Sequence, residues 1–203
     1  VIDDGRTRLG IVSLDAIGLF HDDVLSVRRR LSPQSKIDYT IVYSTHNHST
    51  PDLLGLWGPD MFHAGADQRY RQQVIAASAQ ALEAAAAALQ KASVVFHEIP
   101  VPTTDLVSDG RKPEVFDPDI RMMHFVDPAD GATIGSLVGW ADHPETPWSK
   151  NTEITGDYCG YLRVALEKGV AKDGQILAEG VRPAARGALQ IILGTDPEFS
   201  ELP

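Results

Sequence analysis

The chain has 203 residues, 43% of them hydrophobic and 23% charged, the composition of a folded protein long enough for one sizeable domain or at most two small ones. Its 28 acidic residues outnumber 18 basic ones, and the formal charge of −10 excludes the clustered basic surface that nucleic acid requires. With Cys159 as the only cysteine there is no intrachain disulfide and no cysteine-based zinc knuckle, and no run approaches the roughly 18 apolar residues of a membrane span.

Residues 1–10 lack the basic-then-apolar pattern of a leader. Both ends read as interior sequence. The expectation is a single α/β domain over 1–203 that is an incomplete part of a larger catalytic domain.

Arg8 to Leu19 is rich in Ile, Val and Leu and predicts a strand buried on both faces. His21 to Leu31 predicts a helix, with an apolar stripe of Val24, Leu25, Val27 and Leu31. The basic run Arg28, Arg29, Arg30 closes it as a solvated end, where cations offset the helix dipole. Ile37 to Ser44 is β-branched and aromatic, hence a second strand.

Asp67 to Ala92 holds no Gly or Pro, is dense in Ala, Gln and Leu, and opens on Asp, so it predicts a long helix. A strand follows over Ser93 to Val101, then a turn-rich connection of a length more often functional than idle. Ile120 to His143 reads as a hairpin turning at Asp127-Pro128-Ala129-Asp130-Gly131. Asp157 to Lys168 predicts a helix capped by Gly169, and Ala188 to Leu193 a last strand. The fold class is α/β, a mixed β-sheet with flanking helices, and the site is expected at the carboxyl ends of strands.

Two histidines stand at such strand ends. His46 closes the strand ending in Ser44-Thr45, and His143 closes the second arm of the hairpin. In extended backbone His46 and His48 point to one side and can share a metal, or divide metal and substrate between them. Zinc is the natural guest of neutral imidazoles, and a catalytic site usually has three protein ligands and an open water position. Trp57, among Gly and Pro, suits a pocket wall. His63 is a weaker candidate for the same pocket, while His97 and His124 read as structural and His21 has little case. A metallo-β-lactamase pattern needs Asp and His where Thr50 and Pro51 stand, and the hairpin breaks the alternation of an amidohydrolase barrel.

The segments Thr45-His46-Asn47-His48 through Pro51, Leu54 to Pro59, Trp140 to Pro144 and Asn151 to Tyr161 resemble the neutral/alkaline non-lysosomal ceramidase N-terminal domain family, and Arg8 to Leu19 resembles its first core strand. The resemblance spans nearly the whole chain. It implies a zinc-dependent hydrolase cleaving an amide of an N-acyl, lipid-like small molecule, with His46 and His143 as zinc ligands. It further implies that His48 faces the substrate's polar groups and that Arg111 contacts substrate. Family zinc sites are completed by a Glu and a Tyr from later in the domain, which nothing after Leu193 supplies. Asp157 is read as an acceptor orienting an imidazole, Glu145 as a group behind the ligands and Cys159 as a small buried residue. Trp57 and Leu53 to Leu56 would wall an acyl chain. The same fold acting on another amide or an ester, or a silent binding relative, are the alternatives.

Overall fold

The computed structural model describes residues 1–102, 106, 107, 109–184 and the backbone of 189–194. These form a mixed α/β structure with three small sheets and three helices, divided into two compact units, 1–90 and 91–203.

The first unit is built on strands β1 (Ile2–Asp3), β2 (Arg8–Leu14) and β3 (Tyr39–Ser44) in the order β1-β2-β3, with β1 antiparallel and β3 parallel to β2. A parallel pair needs a crossover, and helix α1 (His21–Arg30) with a short 3-10 turn (Pro33–Ser35) supplies it. Helix α2 (Gln68–Ala87) follows, capped by Asp67, whose carboxylate accepts the amides of Arg69 at 2.7 Å and Tyr70 at 3.2 Å. Its buried residues Ile75, Ser78, Ala79 and Leu82 recur at helical spacing.

Val12, Val27, Ile75, Ala79 and Leu82 make the core. A Cβ on Gly10 would lie 2.8 Å from Leu82 Cδ2, so the glycine lets α2 seat against β2. The expectation of a strand buried on both faces gives way to alternation. Gly10 and Val12 are buried, while Leu9, Ile11 and Ser13 are half-buried. The helix core lies on the Val12 side, and the period of two sends the other residues to the opposite face. Between the helices, Arg71 Nε donates to buried Asp23 at 2.7 Å.

The second unit has a four-stranded sheet in the order β4-β5-β6-β9: β4 (Ser93–Pro100), β5 (Asp119–Val126), β6 (Thr133–Trp140) and β9 (Leu189–Gly194). The first three are antiparallel neighbours and β9 runs parallel to β6. Helix α3 (Asp157–Lys168) lays Tyr158, Cys159, Leu162 and Leu166 against Val138, Ile120 and Met122, so the buried thiol is a packing group. Gly169, at φ 79°, ends α3 as its sequence position predicts.

A hairpin of β7 (Gly169–Lys172) and β8 (Gln175–Glu179) goes beyond the sequence reading. Its signal was Asp173-Gly174, both at positive φ, the pair that two-residue hairpin turns favour. The segment 195–203 lies outside the described residues. Among the described residues no helix is long and apolar enough to cross a membrane.

Candidate functional site

In the first unit, the ladder of β2 and β3 continues one residue past β3, where Thr45 N–H donates to Leu14 O at 2.9 Å. Thr45 is fully buried. The chain then turns at His46, which has φ 65°, a left-handed conformation uncommon for a side-chain-bearing residue and concentrated at functional sites. Buried Asn47 accepts Ser49 N–H at 2.7 Å and so closes an Asx turn.

These two turns bring the rings of His46 and His48 to 5.0 Å between centroids, at 80°. The i, i+2 spacing predicts a contact by strand alternation; the contact arises instead from the left-handed residue and the turn after it. His46 Nδ1 lies 2.7 Å from Ile17 O. A carbonyl only accepts, so this contact puts the proton on Nδ1 and the lone pair on Nε2. That is the tautomer and the second-sphere arrangement that metal-ligating histidines use.

Next to the pair stands a loop ordered by one side chain that the sequence reading passed over. Asp52 accepts the amides of Leu54 at 2.8 Å, Gly55 at 2.9 Å and Trp57 at 3.0 Å. Its signal was Asp two residues before Leu54 in a Pro- and Gly-bounded stretch. The Trp57 ring meets His48 edge-on at 6.1 Å. Gly58 and Gly65 allow the loop's two limbs to touch, because a Cβ on Gly58 would fall 1.7 Å from His63 O.

Trp57 and Leu56 are exposed and available as a wall, but Leu53 is fully buried and belongs to the interior. Apolar character alone does not tell a wall from a core. His63 points its Nδ1 to Asp60 at 2.7 Å and is exposed.

In the second unit, His143 follows the end of β6 and is held by the first turn of α3. Tyr158 Oη donates to Asp142 O at 2.8 Å, and its ring meets Trp140 edge-on at 5.3 Å. Asp157 is buried and accepts Thr146 N–H at 3.0 Å, three residues past His143. Pro144 between them is fully buried. Asp157 therefore fixes the backbone at Thr146, and this contact is to the main chain rather than to the imidazole. His143 Nδ1 and Glu145 Oε2 are 4.0 Å apart. Burial pushes the Asp142 carboxyl up to about 6, against the His143 amide and with help from the Asp157 charge.

Arg111 lies between β4 and β5 on Asp109, with Nε 3.2 Å from Oδ1. The Asp109 carboxyl also accepts the amides of Arg111 and Val115, and with the guanidinium these bonds hold it down at about 2.

His97 and His124 face each other across β4 and β5 at 5.9 Å between centroids, with His124 Nε2 3.0 Å from Thr133 Oγ1. Burial first, and His97 second, hold the His124 pKa below its ordinary 6.5. The unfolded chain then binds more protons than the folded one just under that value. Stability is full above it and is lost as pH falls through it. Urea unfolding of the wild type should show a midpoint that drops from about pH 7 to about pH 5.5 more steeply than that of His124→Gln; parallel slopes would refute the assignment.

No family model matches the chain, and no curated protein matches its sequence. Solved structures do match. "Crystal Structure Analysis of neutral ceramidase from Pseudomonas aeruginosa" aligns with TM-score 0.65 and 18% identity, over 91% of this chain and 30% of that one. "Ceramidase complexed with C2" aligns with TM-score 0.66 and 18% identity, over 91% and 29%. The fold resembles that of neutral ceramidase. The chain spans about 30% of the length of the structures it matches.

Proposed function

We propose that this chain belongs to a zinc-dependent hydrolase that cleaves the amide bond of an N-acyl, lipid-like substrate. His46 and His143 are its zinc ligands, and His48 faces the polar groups of the substrate. The observation that carries the reading is the imidazole pair of the first unit, where His46 holds its Nδ1 proton on a backbone carbonyl beside His48. The ceramidase-like fold supports it at the level of fold.

An imidazole with its Nδ1 proton on a backbone carbonyl, as in His46, fits zinc, which takes nitrogen ligands readily. When bound, zinc supplies Lewis acidity, polarising a scissile carbonyl and lowering the pKa of water. Around it this chain's residues have separate work. Ile17 O and the left-handed turn orient His46, while Asp157 and Tyr158 orient the backbone of His143. His48 hydrogen-bonds a hydroxyl of the substrate or assists transfer of a proton from the attacking water to the leaving amine. Arg111 contacts the substrate's polar groups. Trp57 and Leu56 receive the acyl chain.

Elemental analysis of the intact gene product, with an N-acylsphingosine, an N-acyl amino acid and a matched ester as substrates, tests the reading. Close to one zinc per chain and preferential turnover of an N-acyl amide are expected. Folded protein that purifies without metal and turns over nothing would mark a silent relative, and ester preference would reassign the bond cleaved.

A further inference from the structure

The Arg28, Arg29, Arg30 run is not used by the proposed hydrolase. Arg29 and Arg30 are exposed, as a solvated helix end predicts, but Arg28 turns toward β3. Its Nη2 donates to Thr40 O at 2.7 Å and its Cζ sits 4.9 Å from the Tyr39 ring centre. Its Nε is buried and has no acceptor among the described residues. A buried guanidinium N–H is costly to leave unmade.

Arg28 lines a cavity of about 330 Å³ between the end of α1, the 3-10 turn and the start of β3, all within the first unit. Lys36 lines it too, in a left-handed conformation that ends the turn, with its backbone N–H on Pro33 O at 3.2 Å. Neither cation has an ion-pair partner among the described residues, in a chain where acids outnumber bases. The carboxylate in the lining, Asp38, instead accepts Arg8 N–H at 2.7 Å. The negative end of the α1 dipole opposes an anion here, and the three arginines of the last turn reverse that sign. Leu31, Pro33, Ile37 and the exposed ring of Tyr39 form the apolar part of the wall, beside the polar Ser32, Ser35 and Thr40.

We propose that this cavity binds a small organic oxyanion, a carboxylate or phosphate monoester, with its charge between Arg28 and Lys36 and its apolar body on Leu31, Ile37 and Tyr39. The inference is independent of the zinc reading, because no residue is shared.

Calorimetric and thermal-shift titrations with benzoate, phenyl phosphate, inorganic phosphate and benzyl alcohol test it. Benzoate or phenyl phosphate should bind saturably and raise the melting temperature, whereas neutral benzyl alcohol should do neither. Lys36→Gln, an end-of-turn change that should leave the circular dichroism spectrum intact, should weaken binding about tenfold, and Arg28→Gln at least as much. Absence of saturable binding by every anion up to about 10 mM, or affinity untouched in both variants, would overturn the site. Inorganic phosphate binding as tightly as phenyl phosphate would overturn the apolar part of the assignment.

Discussion

His46→Ala in the intact protein is expected to reduce zinc from close to one per chain to near none. Hydrolysis should fall by at least about 10³-fold, equivalent to about 4 kcal/mol of transition-state stabilisation. The substitution removes the ring whose Nδ1 proton lies on Ile17 O and whose Nε2 is the proposed donor. His143→Ala should behave the same way, because it removes the other proposed ligand. His48→Ala separates roles. It should keep the metal and lose about 10²-fold in turnover, the scale of a positioned proton-transfer group. His63→Ala, at an exposed ring bound to Asp60, should change neither. The paired readout is metal content with kcat and KM. A His46→Ala protein that retains full zinc would sink the assignment, and a His48→Ala protein that loses it would make His48 a ligand.

The second large effect is structural. Leu82→Ala should destabilise the fold by about 3 kcal/mol, as expected for emptying a buried site that cannot collapse. Leu82 is 1% exposed, packs in the core with Val12, Val27 and Ile75, and rests where Gly10 lacks a side chain. It therefore holds α2 against β2, whose ladder with β3 delivers Thr45 and then His46. Urea unfolding at constant slope would report the loss as a shift in midpoint. A change within about 0.5 kcal/mol would show that the helix is not a packing support for the strand pair.

Much of the fold was legible because the signals are local. The Ala-rich helix announces itself by its lack of breakers and by Asp67 at its cap, which accepts two amides as such a residue should. The hairpin turn at Asp127 to Gly131 is likewise carried by its own residue types, and Gly131 takes the positive φ. The strand β1, of two residues, was not legible, since so short a segment has no period and exists only because β2 offers an edge. The hairpin of β7 and β8 was legible in principle from Asp173-Gly174, but its strands, exposed almost throughout, show no alternation of polarity.

The chemistry divides in the same way. Sequence alone determined that imidazoles stand after two strand ends, because residue type and order are enough for that. Tertiary structure decided that His46 turns left-handed, that its Nδ1 proton goes to Ile17, that Leu53 is core while Trp57 is surface, and that Arg28 leaves the solvated face to line a cavity. Each of these depends on which groups distant in sequence compete for one donor or one volume. A linear pattern records the competitors but not the outcome.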